Sequence, residues 1–583
     1  MQRVESVGAT RSPVPITFIF LAAFVVHSPL LLMQLPLKSY DTNFHIFFAS
    51  HYQHHWFDPW NPQWYAGFSQ TTYPPLPQQW IAIIANITGL DLAYMVVQFI
   101  GILLLALGVY RFAQLWVDRR SASYAALASV LLGSECFLIY AAGQLSTTFA
   151  APLYLNAMPY LYDWVRYGKG RSLLKGTALG VAAAAAHHAT LLFGSVLFAL
   201  PVLALALLDR QGGERMPVPR FITRTAVAVL LAGAAIATVL LPFWLALIKY
   251  PVTQVPIPHP SRANYLLSPE WGVNYFVVPY GAVILALPFI LLRGSSTPRL
   301  RPLLFGFWLA FLLGLGGTTP VGKVLLGRAF EVLTMERFTY WATLLALPFV
   351  GLLAAELIDR YRLKAVAGLL IAAGLTCAAA VAYTFYRPAD PGNFEVDSVA
   401  AWLNRDGHDK YRYVTLGFGN KIARLSVLTD ASTVDGEWNS GRMLPELMEH
   451  GAGALTSSKY FGKDGLDALT AILRHADHYG LKWVFMRDPY YEPLLVFAGW
   501  RKVDSLEDNT VTVWGKEDVP PATPLNAPQI PPAWQGLLWG TLPIGSSILA
   551  MLLILIPDKK PATARVPQSE PAKEDLAFGR MIS

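Results

Sequence analysis

The sequence predicts an α-helical polytopic membrane protein of about twelve spans, with a C-terminal α/β domain outside the membrane. Three observations predict this class. Of the 583 residues, 54% are hydrophobic and only 14% are charged, about half of the charged fraction that is usual in soluble proteins. The apolar residues form runs that approach the roughly 20 residues needed to cross a bilayer. One segment, 387–533, instead has the composition of a globular domain.

Basic residues in the loops between the apolar runs predict the orientation. Cytoplasmic loops collect Lys and Arg, and a twelve-span topology places sixteen basic residues in the inner loops and six in the short outer loops. The net charge of +7 is therefore interpreted as an orientation signal, and no nucleic-acid partner is expected. Two interpretations of the segments 172–187 and 189–208 remain: they are two spans, or they are one re-entrant element around His187 and His188. The predicted spans are 14–36, 92–116, 122–142, 148–165, 172–187, 189–208, 221–245, 274–292, 303–316, 339–357, 364–386 and 535–556.

The chain divides into four predicted parts, with both termini on the cytoplasmic side. They are a transmembrane module 1–386 that includes a long first outer loop 37–91, an extracytoplasmic α/β domain 387–533, a final transmembrane helix 534–557 and a disordered cytoplasmic tail 558–583. Apolar patterning in the outer domain predicts mixed helices and strands. The helices are expected at 394–403 and 465–479, and the strands at 411–416, 482–486 and 510–514.

The first outer loop carries the strongest functional signal. It alternates aromatic, Pro and polar residues, which is typical of a re-entrant or interfacial segment with rings at the headgroup level. Asp41 follows the first apolar run closely, where a carboxylate near aromatic groups is well placed for a raised pKa and for proton abstraction. Asp58 is a second candidate, although Asp-Pro also starts turns. The alternative for the loop is an aromatic belt without chemistry.

The loop motif resembles that of a known superfamily. An Asp just after the first span, followed by Trp-Phe-Asp-Pro-Trp-Asn-Pro-Gln-Trp-Tyr-Ala-Gly-Phe (56–68) and Tyr-Pro-Pro-Leu (73–76), resembles the first outer loop of GT-C integral-membrane glycosyltransferases. The closest resemblance is to bacterial membrane proteins with a 6-pyruvoyl-tetrahydropterin synthase-related domain. The layout of many spans, a long first outer loop and a C-terminal outer domain is also similar.

This resemblance implies an enzyme that takes its sugar from a polyprenyl phosphate, with Asp41 as the general base on the acceptor. Such a donor requires no nucleotide-binding motif, and the sequence contains neither a Walker A loop nor a strand followed by G-x-G-x-x-G. The residues after Asp41 are Thr42 and Asn43, so the loop lacks an adjacent acidic pair. We therefore expect no cofactor. A divalent metal is possible but has no support in the sequence, and the first-loop histidines are interpreted as an interfacial face rather than as metal ligands.

Outer basic residues are candidates for binding the donor phosphate, because a lipid phosphate requires cations near the outer membrane boundary. Arg337 immediately precedes a predicted span, and the resemblance implies a phosphate-binding Arg in a late outer loop. Arg262, in a Pro-rich outer loop, is a second candidate. For Arg337 the alternative is an interfacial side chain that snorkels or pairs with Glu336.

The remaining candidates are polar residues at the outer ends of predicted spans or in the outer segments. Ionisable groups at the mouth of a membrane cavity are frequently functional. In the acidic and aromatic stretch 430–439 a Trp lies beside carboxylates, which is suited to contact with a sugar acceptor, although the stretch could equally form a Gly turn between strands. The predicted substrate-binding residues are His187, His188, Asp58, Glu135, Gln144, Tyr73 and Trp438.

Together these features predict a glycosyltransferase of the bacterial cytoplasmic membrane that acts on its outer face. The expected partners are a polyprenyl-phosphate sugar, a glycan, lipid or protein acceptor, and the lipid bilayer. Two alternatives are a transporter or flippase of lipid-linked glycans and a non-catalytic membrane assembly protein. A transporter predicts internal repeats and charges near mid-membrane, and the sequence has no convincing repeat and few such charges.

Overall fold

The fold is a helical bundle that carries a small α/β domain. The computed structural model describes residues 12–209, 215–251, 255–386, 394–450, 453–525 and 529–556, so the predicted tail 558–583 lies outside the described residues. The helices of the bundle are α1 (Ile16–Leu32), α2 (Thr42–His54), α3 (Leu76–Thr88), α4 (Leu90–Ala113), α5 (Arg119–Ala142), α6 (Leu145–Tyr167), α7 (Gly170–Ala186), α8 (His188–Leu208), α9 (Val218–Val239), α10 (Leu241–Lys249), α11 (Pro269–Ser296), α12 (Arg301–Gly314), α13 (Val321–Leu326), α14 (Glu336–Tyr361) and α15 (Leu363–Phe385).

Eight helices within the described residues are long and apolar enough to cross a membrane, so the chain is a multi-pass membrane protein. They are α4, α5, α8, α9, α11, α14, α15 and the C-terminal helix Ala533–Leu555. The other predicted spans correspond to α1, α6, α7 and α12, which are either shorter or less apolar. The count of twelve spans therefore stays a prediction. The predicted span 221–245 is divided between α9 and α10 at Leu240.

Small residues allow the central helices to approach closely, as is common in membrane bundles. Helix α14 packs against α5 and α12, and α6 packs between α4 and α7. A Cβ at Gly351 of α14 would lie 2.1 Å from the carbonyl oxygen of Ser121 in α5. Only a glycine therefore fits at this crossing.

The outer domain contains one four-stranded mixed sheet, as expected for an α/β unit. Its strands, with the small antiparallel pair of the first loop, are β1 (Trp60–Asn61), β2 (Phe68–Ser69), β3 (Arg412–Leu416), β4 (Leu481–Met486), β5 (Arg501–Leu506) and β6 (Val511–Gly515). The strand order of the sheet is β3-β4-β6-β5, in which β3 pairs parallel to β4 and the other pairs are antiparallel. Its helices, with the final helix of the chain, are α16 (Asp397–Leu403), α17 (Lys421–Leu428), α18 (Pro445–Glu449), α19 (Gly462–Arg474), α20 (Ala476–Tyr479), α21 (Glu492–Phe497) and α22 (Ala533–Leu555).

The predicted elements of the outer domain all occur, with ends shifted by a few residues. The sequence patterns did not indicate β5 or the short helices α17, α18 and α21. The polar sequence of β5 gives no apolar alternation, because this strand lies at the sheet edge and its first residues are exposed. Helix α17 has only eight residues, too few to show a clear helical period.

Several rings of the first outer loop are part of the core of the outer domain and do not form the predicted aromatic surface; the interfacial position of the loop as a whole stays a prediction. Phe47, Trp64 and Phe68 are fully buried and share one apolar cluster with Val414 and Leu469 of the outer domain. The rings of Phe47 and Trp64 stack at 4.1 Å between centroids, and the Trp64 indole N–H donates to Ser426 Oγ at 2.8 Å. The aromatic side chains of this loop therefore stabilise the core, since each buried ring removes a large apolar area from water.

Candidate active site

Asp41 lies at the start of α2, where its backbone is bonded to the C-terminal end of α5. The Asp41 N–H donates to the Ala142 carbonyl at 3.0 Å, and the Tyr40 N–H donates to Ala141 at 3.2 Å. Asn420 of the outer domain donates to the Tyr40 carbonyl from the other side at 2.7 Å. Two separate parts of the chain thus fix the position of Asp41.

Gly143 makes this close approach possible. Its φ is +73°, in the left-handed region that favours glycine. A Cβ at this position would lie 2.3 Å from Ser39 Oγ and 2.9 Å from the Asp41 nitrogen. Any larger residue would push the start of α2 away from α5.

The Asp41 side chain has no hydrogen bond or ion pair with another described residue, and it is partly exposed. Burial raises its pKa to about 6, because desolvation disfavours the charged form. The positive charge of Arg337 lowers this pKa and the negative charge of Glu336 raises it. A carboxylate with these properties is suited to accept a proton near neutral pH.

A hydrogen-bonded chain holds Arg337 beside Asp41. Gln144 donates from Nε2 to Glu336 Oε1 at 2.7 Å, and its Oε1 accepts from Arg337 Nε at 3.0 Å. The amide oxygen takes only the Nε–H, and the terminal nitrogens of the guanidinium have no hydrogen-bond partner among the described residues, so their donors can serve a ligand. The predicted candidates Gln144 and Arg337 are thus joined directly. The acid–base cluster consists of Asp41, Gln144, Glu336 and Arg337.

Neutral histidines surround the acid–base cluster. Arg337 lies within electrostatic reach of His45, His187 and His259. Burial lowers the pKa of His45 to about 3 and lowers that of His259, so both rings are neutral at physiological pH. The ring of His187 is held by Thr190 (Nδ1 to Oγ1, 2.8 Å).

The backbone at His187 explains why only one of the two adjacent histidines faces the cluster. His187 has φ −163° and ψ 112°, which ends α7 and starts α8. His188 consequently points elsewhere and packs against Phe243 at 4.2 Å between ring centroids. The structure therefore places His187, but not His188, at the site.

Tyr73 and Trp438 form an aromatic wall beside the site. Their rings meet edge to face at 4.7 Å between centroids, and the Tyr73 hydroxyl donates to Ser146 Oγ at 3.0 Å. Tyr73 lies within electrostatic reach of both Asp41 and Arg337. The structure thus brings these two predicted residues together near Asp41.

Three other predicted residues have different surroundings. Arg262 donates from Nη1 to the Leu333 carbonyl at 2.6 Å and lies within electrostatic reach of Glu336, one residue from Arg337. Asp58 is exposed and accepts from the Trp60 N–H at 3.0 Å, as in an ordinary turn. Both carboxyl oxygens of Glu135 are sealed inside the bundle. The structure therefore does not bring Asp58 or Glu135 to the acid–base cluster.

The described residues contain no group of three or more His, Cys, Asp or Glu side chains arranged to hold a metal ion. The expectation that no metal takes part stays a prediction.

Glu336 was not selected from the sequence, and Glu437 was included only as a member of the acidic and aromatic stretch 430–439. Glu336 accepts the hydrogen bond from Gln144, and Glu437, next to Trp438, lies within electrostatic reach of Asp41. The only signal for these two residues in the sequence is that each directly precedes a selected residue, Arg337 or Trp438. For Glu437 that signal was weak, because 396 residues separate it from Asp41.

No protein-family model matches this sequence, and no curated protein matches it at significant similarity. Solved structures share its fold. The chain is similar to the mycobacterial arabinofuranosyltransferase AftD, with 15% identity and a TM-score of 0.52, over 88% of this chain and 40% of AftD. It is also similar to the apo oligosaccharyltransferase of Archaeoglobus fulgidus, with 12% identity and a TM-score of 0.53, over 83% of this chain and 70% of that protein. The chain therefore shares the fold of these two glycosyltransferases, which agrees with the resemblance to the GT-C superfamily noted in the sequence.

Proposed function

We propose that this protein is a glycosyltransferase that transfers a sugar from a polyprenyl phosphate to an acceptor on the outer face of the bacterial cytoplasmic membrane. The observation that carries the proposal is the unpaired Asp41 carboxylate beside Arg337, at the outer end of a membrane bundle. One group accepts a proton and the other stabilises a phosphate. These are the two tasks that such a transfer requires.

In the proposed reaction Asp41 takes the proton of an acceptor hydroxyl, and the acceptor oxygen attacks the anomeric carbon of the donor. The bond between that carbon and the phosphate oxygen breaks, and its electron pair leaves with the polyprenyl phosphate. The phosphate gains one negative charge, which the guanidinium of Arg337 stabilises and to which Arg262 contributes at longer range. Attack opposite the phosphate inverts the anomeric centre.

An apolar groove supports a prenyl-linked donor. The groove, of about 360 Å³, runs between α6, α7, α8 and α9. Its lining includes Tyr154, Met158, Leu191 and Ile236. Leu191 lies one helical turn from His187, whose ring is at the acid–base cluster. A prenyl chain in this groove would place its phosphate on the side of the site that contains His187.

Purified protein in lipid vesicles, supplied with a panel of undecaprenyl-phosphate sugars and mixed saccharide, lipid and peptide acceptors, tests the proposal. We expect release of undecaprenyl phosphate that depends on an acceptor, together with a product of inverted anomeric configuration. Movement of the donor between leaflets without transfer would contradict the proposal and favour a flippase.

A further inference from the structure

A short segment of the outer domain lies directly on the first loop. The Thr433 N–H donates to the Gln63 carbonyl at 2.6 Å, and the Ala66 N–H donates back to the Thr433 carbonyl at 3.0 Å. The Tyr65 N–H donates to the Asp435 carbonyl at 3.3 Å. These bonds hold the segment 433–438 at a fixed position relative to α2, which follows Asp41.

Both neighbours of Glu437 in this segment are held tightly. A Cβ at Gly436 would lie 2.7 Å from the ring of Tyr65, so the backbone here touches the first loop. On the other side, the Trp438 indole N–H donates to Thr72 Oγ1 at 3.0 Å, and its ring meets Tyr73. The position of Glu437 is thus determined by contacts on both sides.

Glu437 shares the site with Asp41 but has no partner of its own. Its side chain is partly exposed and has no hydrogen bond or ion pair with any described residue. Burial raises its pKa well above the usual range, and the charges of Asp41 and Asp435 raise it further. A carboxyl group accepts hydrogen bonds in either protonation state, and it also donates one when it is protonated.

We propose that Glu437 binds the acceptor, by holding the hydroxyl next to the one that Asp41 deprotonates. Two carboxyl groups from separate parts of the chain lie within electrostatic reach of each other, and Glu437 is next to Trp438. Such a pair suits a molecule with neighbouring hydroxyls and an apolar C–H face. The acceptor is accordingly a sugar residue of a glycan or glycolipid. A Ser or Thr side chain offers one hydroxyl and would leave Glu437 without a partner. This inference rests on the proposed function and specifies its acceptor class.

The test compares Glu437→Ala and Glu437→Gln with wild type, using the donor that wild type accepts. The acceptor probes are octyl glycosides of common hexoses and pentoses, and analogues that lack the hydroxyl next to the site of transfer. A serine-containing peptide is the third probe. Glu449→Ala is the matched control, because Glu449 is an exposed carboxylate elsewhere in the outer domain. Thermal unfolding of each variant reports on folding.

We expect Glu437→Ala to raise the acceptor KM about tenfold, the effect of one lost hydrogen bond, with the donor KM and the melting temperature unchanged. Glu437→Gln should stay within about threefold of wild type, since an amide also donates and accepts. Wild type should prefer the full glycoside to its deoxy analogue, and Glu437→Ala should lose that preference.

If Glu437→Ala loses the same factor in transfer with the full glycoside and with its deoxy analogue, the inference is overturned and the proposed function stays intact. Transfer by wild type to the peptide in preference to every sugar would have the same consequence. An Asp41→Asn variant separates the two claims. If wild type transfers sugar in an Asp41-dependent way while Glu437→Ala behaves like wild type, only the role of Glu437 fails. If wild type transfers nothing, both fail.

Discussion

At the scale of single residues, the distinctive feature is a carboxylate that the protein holds without a partner. Buried carboxylates are normally paired, because an isolated buried charge is costly. Asp41 has only the longer-range charge of Arg337 to offset its desolvation. This arrangement costs stability and leaves the group free to accept a proton.

The pH dependence of transfer should report the charges around Asp41. Because Asp41 must be ionised to act as a base, kcat/KM should fall as the pH drops through about 6. Arg337→Gln removes a charge that lowers the pKa of Asp41, so the acidic limb should move to higher pH. Glu336→Gln removes a charge that raises it, so the limb should move to lower pH. Shifts in the same direction for the two variants would contradict this electrostatic assignment.

Asp41→Asn should be more heat-stable than wild type at pH 7.5. The pKa of Asp41 is higher in the folded protein, at about 6, than its ordinary 3.8, so the folded state binds more protons between these values. The contribution of Asp41 to stability is therefore lost as the pH rises from about 4 to about 6. The difference in melting temperature between Asp41→Asn and wild type should be larger at pH 7.5 than at pH 5.0. Equal effects at both values would exclude this cause.

Part of the site could be predicted from the sequence because some of its residues have local signals. Asp41 and Arg337 are charges at the ends of apolar runs, and Gln144 is a polar residue beside such an end. The choice between His187 and His188 depends on an extended backbone at His187, which a run of alanines does not reveal. The position of Glu437 depends on a contact between distant parts of the chain.

At the scale of elements, the junction between α5 and α2 positions the proposed base. The last carbonyl groups of α5 accept the N–H groups of Tyr40 and Asp41, and Gly143 turns the chain away at once. This junction depends on a single residue without a side chain.

Gly143→Ala should reduce transfer at least tenfold. The added methyl group meets Ser39 and the backbone of Asp41, and small misplacements of a reacting group cost large factors in rate. Gly368→Ala, in α15, is the control, because a Cβ there meets nothing within 4 Å. Steady-state kinetics on both variants would test the claim. A fully active Gly143→Ala enzyme would show that the junction does not position Asp41.

At the scale of the whole molecule, the outer domain and the first loop form one folded unit. They share an apolar cluster, and Arg424 of α17 pairs with Asp91 of α4 through two bonds of 2.9 and 3.2 Å. The sequence indicates two separate outer segments, because periodicity within each segment carries no information about their pairing. The α/β class of the outer domain could be predicted, since it follows from local patterns.

Trp64→Ala should loosen this unit as a whole. Trp64 is fully buried between the two segments, and removing such a side chain costs about 3–5 kcal/mol. Limited proteolysis should then cut the outer domain faster, and transfer should fall with it because Glu437 and Trp438 shift. Phe497→Ala is the control, since that ring is 91% exposed. Unchanged proteolysis of Trp64→Ala would contradict a shared core.

The most direct test of the central claim is sugar transfer by wild type, Asp41→Asn and Asp409→Asn, each purified into the same lipid. Asp409 is an exposed carboxylate of the outer domain and serves as the matched control. We predict that Asp41→Asn loses about 10²–10⁴-fold in kcat, the usual contribution of a general base, while it still binds the polyprenyl-phosphate donor and Asp409→Asn stays fully active. Transfer by Asp41→Asn at a rate close to that of wild type would contradict the account.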